Sequence, residues 1–232
     1  MQINNSFKTP QQSFGMAVKV DKLAADGLAK SLKSIKDWVE FDQVIRRQAN
    51  NNVADIFVKP GVIAGDQGKY IIEVGARKIK TGLFKSVLNA IKQGEKIADD
   101  LRLRTEELAL DKSSSPYQDV VDKVTKIDLE PVKDVLYKGV INSPEAIKRF
   151  NKIANMANVD DMPEVNVFTN LSKKVSATVG SKEFKQGIFD STLVPLEKAV
   201  KKADEIRVKE NALEIETNPN FKEVIMGKVI QQ

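Results

Sequence analysis

Two residue types are missing from this chain altogether: it has no cysteine and no histidine. Without cysteine there is no disulfide framework and no thiolate metal site. Without histidine the commonest general base and the commonest transition-metal ligand are gone. Together the two absences exclude a Ser-His-Asp triad, a Cys-His pair and the zinc motifs built on those ligands. Aromatic residues are scarce at 6%, with a single Trp, so readout of nucleic-acid bases by stacking has little to work with. No apolar run approaches the roughly 18 residues that cross a bilayer, and residues 1–12 are polar with no apolar signal region. The expectation is a soluble, cytoplasmic protein with no transmembrane segment and no cofactor.

What is present describes an ordinary globular chain. Its 232 residues are 41% hydrophobic and 30% charged, enough to bury a core without staples. The net charge of +5 is the small difference between 37 basic and 32 acidic residues, which permits an anionic partner without demanding one.

Residues 1–13, rich in Asn and Gln, have nothing to bury and read as a flexible tail. Phe14, Met16, Val18 and Val20 alternate as in a short strand, and Asp21 suits the N-cap of a following helix. In that helix Leu28, Leu32, Ile35, Val39 and Ile45 recur at three- and four-residue steps, with Trp38 beside the stripe, and Asn50 to Asn52 end it. Two strands follow, 53–58 and 70–74, separated by a loop with Pro60, Gly61, Gly65 and Gly68. A long helix after Gly82 leads to the serine-rich stretch 112–116, which reads as a linker.

The second half repeats this order. Displaced by 105 residues, 69–99 and 174–204 are identical at eleven of 31 positions, including Val74, Gly75, Gly82, Phe84, Ser86 and Leu88 with Val179, Gly180, Gly187, Phe189, Ser191 and Leu193. The same displacement sets Ala49 and Asn50 on Ala154 and Asn155, with the loop between the strands about five residues shorter in the second copy. The expected fold is therefore α+β: two pseudo-symmetric copies of a helix–strand–strand–helix unit, each a small antiparallel sheet on long amphipathic helices. The expected division is a tail 1–13, a first lobe 14–111, a linker 112–127, a second lobe 128–216 and a C-terminal segment 217–232. The shared segment is Val-Gly, then Gly, a branched aliphatic, Phe, any residue, Ser, any residue, Leu. It assigns the first glycine to the strand end and the second to a turn with positive φ. Phe84 and Phe189 become buried first-turn anchors.

Three classes of function remain. The acidic pairs Asp99-Asp100 and Asp160-Asp161 are neighbours that point apart, so neither forms a shared carboxylate site, and an enzyme would need carboxylates, lysines or a hard metal ion. Lys69, Arg77, Lys78 and Lys80 in the first copy, with Lys173, Lys174, Lys182 and Lys185 in the second, suit a phosphate-neutralising face. On sheet edges the same lysines simply block aggregation. The favoured class is a non-enzymatic interaction, assembly or structural protein that contacts another protein or itself. Its candidate surface is the helical seam Leu193, Leu196 and Val200, flanked by Phe189 and Ala203 at steps of four, three, four and three. Pro195 inside the seam means that the helix starts near Leu193 or kinks there.

Overall fold

A computed structural model describes residues 18–61, 69–81 and 86–229. The first half runs β1 (Val18–Val20), α1 (Lys22–Ser31), α2 (Ile35–Gln48), β2 (Ile56–Pro60), β3 (Tyr70–Val74), β4 (Arg77–Lys80), α3 (Val87–Lys112) and α4 (Pro116–Lys123). The second runs α5 (Lys133–Val140), entered through a 3₁₀ turn at Glu130–Val132, then α6 (Pro144–Ala157), β5 (Asn166–Thr169), β6 (Val175–Val179), β7 (Lys182–Lys185), α7 (Leu193–Thr217) and α8 (Phe221–Gly227). Each half is α-α-β-β-β-α-α; β1 is an addition to the first.

The sheets stay separate, in the orders β1-β2-β3-β4 and β5-β6-β7. Each three-stranded meander is antiparallel, whereas β1 runs parallel to β2. The third strand of each half, β4 and β7, exceeds the two expected. It follows a tight turn at Gly75 or Gly180, both at φ 55°, a conformation that glycine adopts without the steric cost other residues bear.

Corresponding elements follow one another at closely similar displacements. Strands β3 and β6, and β4 and β7, lie 105 residues apart, but α2 and α6, both 14 residues long, lie 109 apart. The sequence register of Ala49 and Asn50 on Ala154 and Asn155 is thus corrected by four residues. The difference is absorbed between the first two strands, where residues 61–69 in one half match 170–174 in the other. Both helices begin after a capping serine: Ser34 Oγ accepts from the amide of Asp37, and Ser143 Oγ from that of Ala146, each at 3.1 Å. Their buried faces also correspond, Trp38, Phe41 and Val44 with Ile147, Phe150 and Ile153.

Ser34 also explains why the single long helix expected after Asp21 is two. Asp37 returns a carboxylate to the Ser34 amide, closing a capping box, and the Trp38 indole N–H donates to the Leu32 carbonyl at 3.0 Å. The break therefore has its own hydrogen bonds. Asp21 caps α1 as expected, accepting from the amide of Leu23.

On the inner face of the first sheet α3 crosses so closely that a Cβ at Gly94 would sit 2.9 Å from Ile72 Cγ2. Further along, the long helices part from their own sheets. Leu110 on α3 and Tyr117 and Val120 on α4 pack with the second core, while Ile215 on α7 and Ile225 and Met226 on α8 pack with the first. The stretch 112–127, expected as a linker, holds α4 and contributes Tyr117 and Val120 to the second core. Pro116 suits the first helical turn, where no amide partner is needed. Phe14, Met16, residues 1–13 and the Gly82–Phe84 turn lie outside the described residues.

Candidate functional site

The crossed helices are clamped by two polar clusters in matching positions. On one side the buried Asp42 accepts from Arg46 Nε at 2.6 Å, from Asn211 Nδ2 at 2.9 Å and from Lys228 Nζ at 3.0 Å. On the other, Glu106 accepts from Asn151 Nδ2 at 2.9 Å, Asn155 Nδ2 at 2.7 Å and Lys123 Nζ at 2.6 Å. Asp42 occupies the place of Asn151, Asn211 that of Glu106, and Lys228 that of Lys123. The pairing is thus repeated with acid and amide exchanged. Burial alone would raise the pKa of either acid; the donors around Asp42 and around Glu106 outweigh it and hold both carboxyls below the usual range.

Between the lobes lies a cavity of about 290 Å³ lined by Arg47, Asp99, Arg102, Met156, Val159 and Asp204, among others. Its charges are largely matched within the wall: Arg47 pairs with Glu95 at 2.6 Å and Arg102 with Asp99 at 3.1 Å. The acidic pairs stay divided, as their spacing implied. Asp99 serves Arg102 while Asp100 faces solvent, and Asp160 lies 3.6 Å from Lys126 while Asp161 engages Arg46.

The seam chosen from sequence does not offer a docking surface. Leu193, Leu196 and Val200 are buried in the second core, against the sheet. Helix α7 begins at Leu193, so Pro195 sits in its first turn, where it needs no amide partner. This leaves Phe189 outside the helix. The basic residues are distributed over two sheets. Arg77, Lys78 and Lys80 lie on the edge strand β4, with Lys69 just before β3. Lys182 and Lys185 lie on the edge strand β7, and Lys173 and Lys174 precede β6. Lys78 pairs with Glu73 at 2.9 Å and Lys185 with Glu183 at 3.1 Å.

Of the four most exposed apolar side chains among the described residues, one is Leu23 on α1, and the other three, Leu171, Ile188 and Phe189, lie where neither pattern pointed, at one end of the second sheet. Two turns meet there. In the first, the Lys173 amide donates to the Asn170 carbonyl at 2.9 Å, and Asn170 Oδ1 accepts from the amides of Ser172 and Lys174. Leu171 stands at its apex. In the second, the Asp190 amide reaches back to the Gly187 carbonyl at 3.4 Å and the Asp190 carboxylate accepts the Gly187 amide at 3.1 Å. Ile188 and Phe189 occupy its two central positions. Gln186 joins the turns: its amide donates to the Val175 carbonyl, and its Oε1 accepts the Val175 amide, both at 3.0 Å.

Hydrogen bonding within the turns points the three apolar side chains outward. Ile188 is 83% exposed, and Phe189 and Leu171 are fully so. Phe189 is therefore no core anchor. Nor does Gly187 adopt positive φ; a Cβ there would instead meet the Asp190 carboxylate at 2.8 Å. Lys173, Lys174 and Lys185 border the turns. The sequence carried part of this signal, since Gly-aliphatic-Phe occurs in both halves, but helical periodicity drew Phe189 into the seam. Leu171 belonged to no pattern.

No known protein family matches the chain, and no curated protein or solved structure matches it.

Proposed function

We propose that this is a non-enzymatic interaction protein that docks through the loop end of its second sheet. One observation carries the reading: Leu171, Ile188 and Phe189 fill the centres of two joined turns with their side chains in solvent. Single apolar residues on a surface need no explanation, but three large ones standing where turn centres favour Gly, Asn, Asp, Ser and Pro support docking. The test uses the absence of cysteine. A Ser172→Cys chain labelled with an environment-sensitive fluorophore is mixed separately with the particulate and clarified fractions of a cell extract. Docking shifts the emission to the blue in at least one fraction, and the unlabelled chain competes the shift away. An unchanged spectrum in both overturns the reading.

A second reading, polyanion binding, is favoured by the outer face of the first sheet. Lys19, Phe57, Glu73 and Lys78 lie in one row across it, with Lys19 and Lys59 at 5.1 and 5.3 Å from the Phe57 ring. Glu73, hydrogen-bonded by Lys59 and Lys78, offsets part of that charge. Binding to mixed DNA or RNA that falls steeply with salt supports this reading; none at low salt removes it.

A further inference from the structure

We infer that the surface recognised by the loop end of the second sheet is an anionic lipid bilayer, entered by Leu171, Ile188 and Phe189 to the depth of the headgroup boundary. The inference rests on the docking reading above and names its partner.

Shape, area and charge favour a bilayer over a protein or a second copy of this chain. The three side chains protrude singly from turns whose backbones hydrogen-bond to themselves. Their combined surface is roughly 500 Å², taking about 150–250 Å² for the aromatic ring and less for each aliphatic. A stable protein interface needs about 800 Å² from each partner, so this cluster alone falls short. A bilayer asks for no complementary cavity, because the interface accommodates whatever apolar volume enters it. The lysines supply the second half of the match. Lys173 and Lys174 come two and three residues after Leu171, and Lys185 ends the strand that leads into the Ile188-Phe189 turn. Lys185 and Glu183 offset each other, and Asp190 keeps its negative charge while accepting the Gly187 amide, so Lys173 and Lys174 are what leave the rim net positive. Apolar apices with a basic border meet the negative potential of an anionic leaflet as the side chains leave water.

Part of this pattern recurs in sequence in the other half. Leu83 and Phe84 follow Gly82 as Ile188 and Phe189 follow Gly187, with Lys69 and Lys80 at the positions of Lys174 and Lys185.

The test is co-sedimentation of the full chain with vesicles of phosphatidylcholine alone and of phosphatidylcholine with phosphatidylglycerol, at low and high salt. The chain is expected to sediment with the anionic vesicles, far less with the neutral ones, and less in both as salt rises. Ile188→Ser with Phe189→Ser weakens the partition coefficient by roughly tenfold per side chain, and Lys173→Gln with Lys174→Gln by roughly fivefold per lysine. These positions make no core contacts, so an unchanged urea midpoint shows that the variants fold. Failure to sediment with anionic vesicles overturns the inference, as does binding indifferent to the serine pair. So does concentration-dependent dimerisation, by light scattering, that the serine pair abolishes. If vesicles fail while the labelled chain still responds to a clarified extract, docking stands and its partner is a protein. Silence in both experiments removes both.

Discussion

Replacing Asp42 with alanine is the sharpest probe of how the lobes are held together. The carboxylate is buried and takes hydrogen bonds from Arg46, Asn211 and Lys228, joining α2 to α7 and to the residue after α8. Removing one partner of a buried ion pair typically costs about 3–5 kcal/mol, because the other charge stays behind uncompensated. Two features pull the value to the lower end. Arg46 keeps Asp161 and lies 3.8 Å from Glu214, and the half-exposed Lys228 turns readily to water. We therefore expect about 3 kcal/mol for Asp42→Ala in a urea titration with an unchanged slope. Asn211→Ala, which deletes one hydrogen bond to a charged group, should cost about 1.5 kcal/mol. Glu106→Ala, in the exchanged cluster, should resemble Asp42→Ala. A loss below about 1 kcal/mol for Asp42→Ala, or one no larger than for Asn211→Ala, would refute the clamp.

Other consequences follow from particular side chains. Phe150→Ala should cost about 3–5 kcal/mol and Phe189→Ala almost nothing, because the first ring is buried and the second is in water; the reverse order in denaturant would place Phe189 in the core. Since Asp42 and Glu106 titrate below their unfolded values, the stability they contribute is present above the ordinary carboxylate range and is lost as pH falls through their lowered pKa values. Asp42→Asn should flatten that acid limb, and an unaltered pH profile would contradict it. Gly180→Ala meets no atom within 4 Å but must hold φ at 55°, so it should cost about 1 kcal/mol, all of it conformational. Gly94→Ala should cost more, because its Cβ would press on Ile72, Ile56 and Val74 together. Equal losses at the two glycines would show that the α3–sheet approach is looser than described.

Much of the fold was legible because its strongest features are local. The apolar run at 70–74 marks a strand, Gly75 and Gly180 fall at strand ends although they and not Gly187 take the positive φ, and the identities between 69–99 and 174–204 set β3 on β6 and β4 on β7. Periodicity misleads where a local choice overrides it. The apolar stripe from Leu28 to Ile45 runs through a break made by Ser34, Asp37 and the Trp38 indole, and period alone cannot report a capping box. The serines before Pro116 resemble a linker, yet the helix they introduce buries Tyr117 and Val120 in a core whose other members lie far along the chain. A stripe at helical spacing likewise does not say whether its partner is another molecule or the protein's own sheet, and for Leu193, Leu196 and Val200 it is the sheet. The loop end was hidden for the opposite reason. Its apolar residues have no period, because they sit at turn apices defined by hydrogen bonds between backbone and side chain.

The account turns on where Leu171, Ile188 and Phe189 go when the protein is at work. The most direct measurement is the emission of a fluorophore on Ser172→Cys during titration with phosphatidylglycerol-containing vesicles, with nitroxide-labelled lipids reporting depth. Insertion of these side chains gives a blue shift that tracks sedimentation and quenching strongest from nitroxides near the headgroup boundary. Emission that stays water-like and unquenched at lipid concentrations that sediment the chain would show that another face makes the contact.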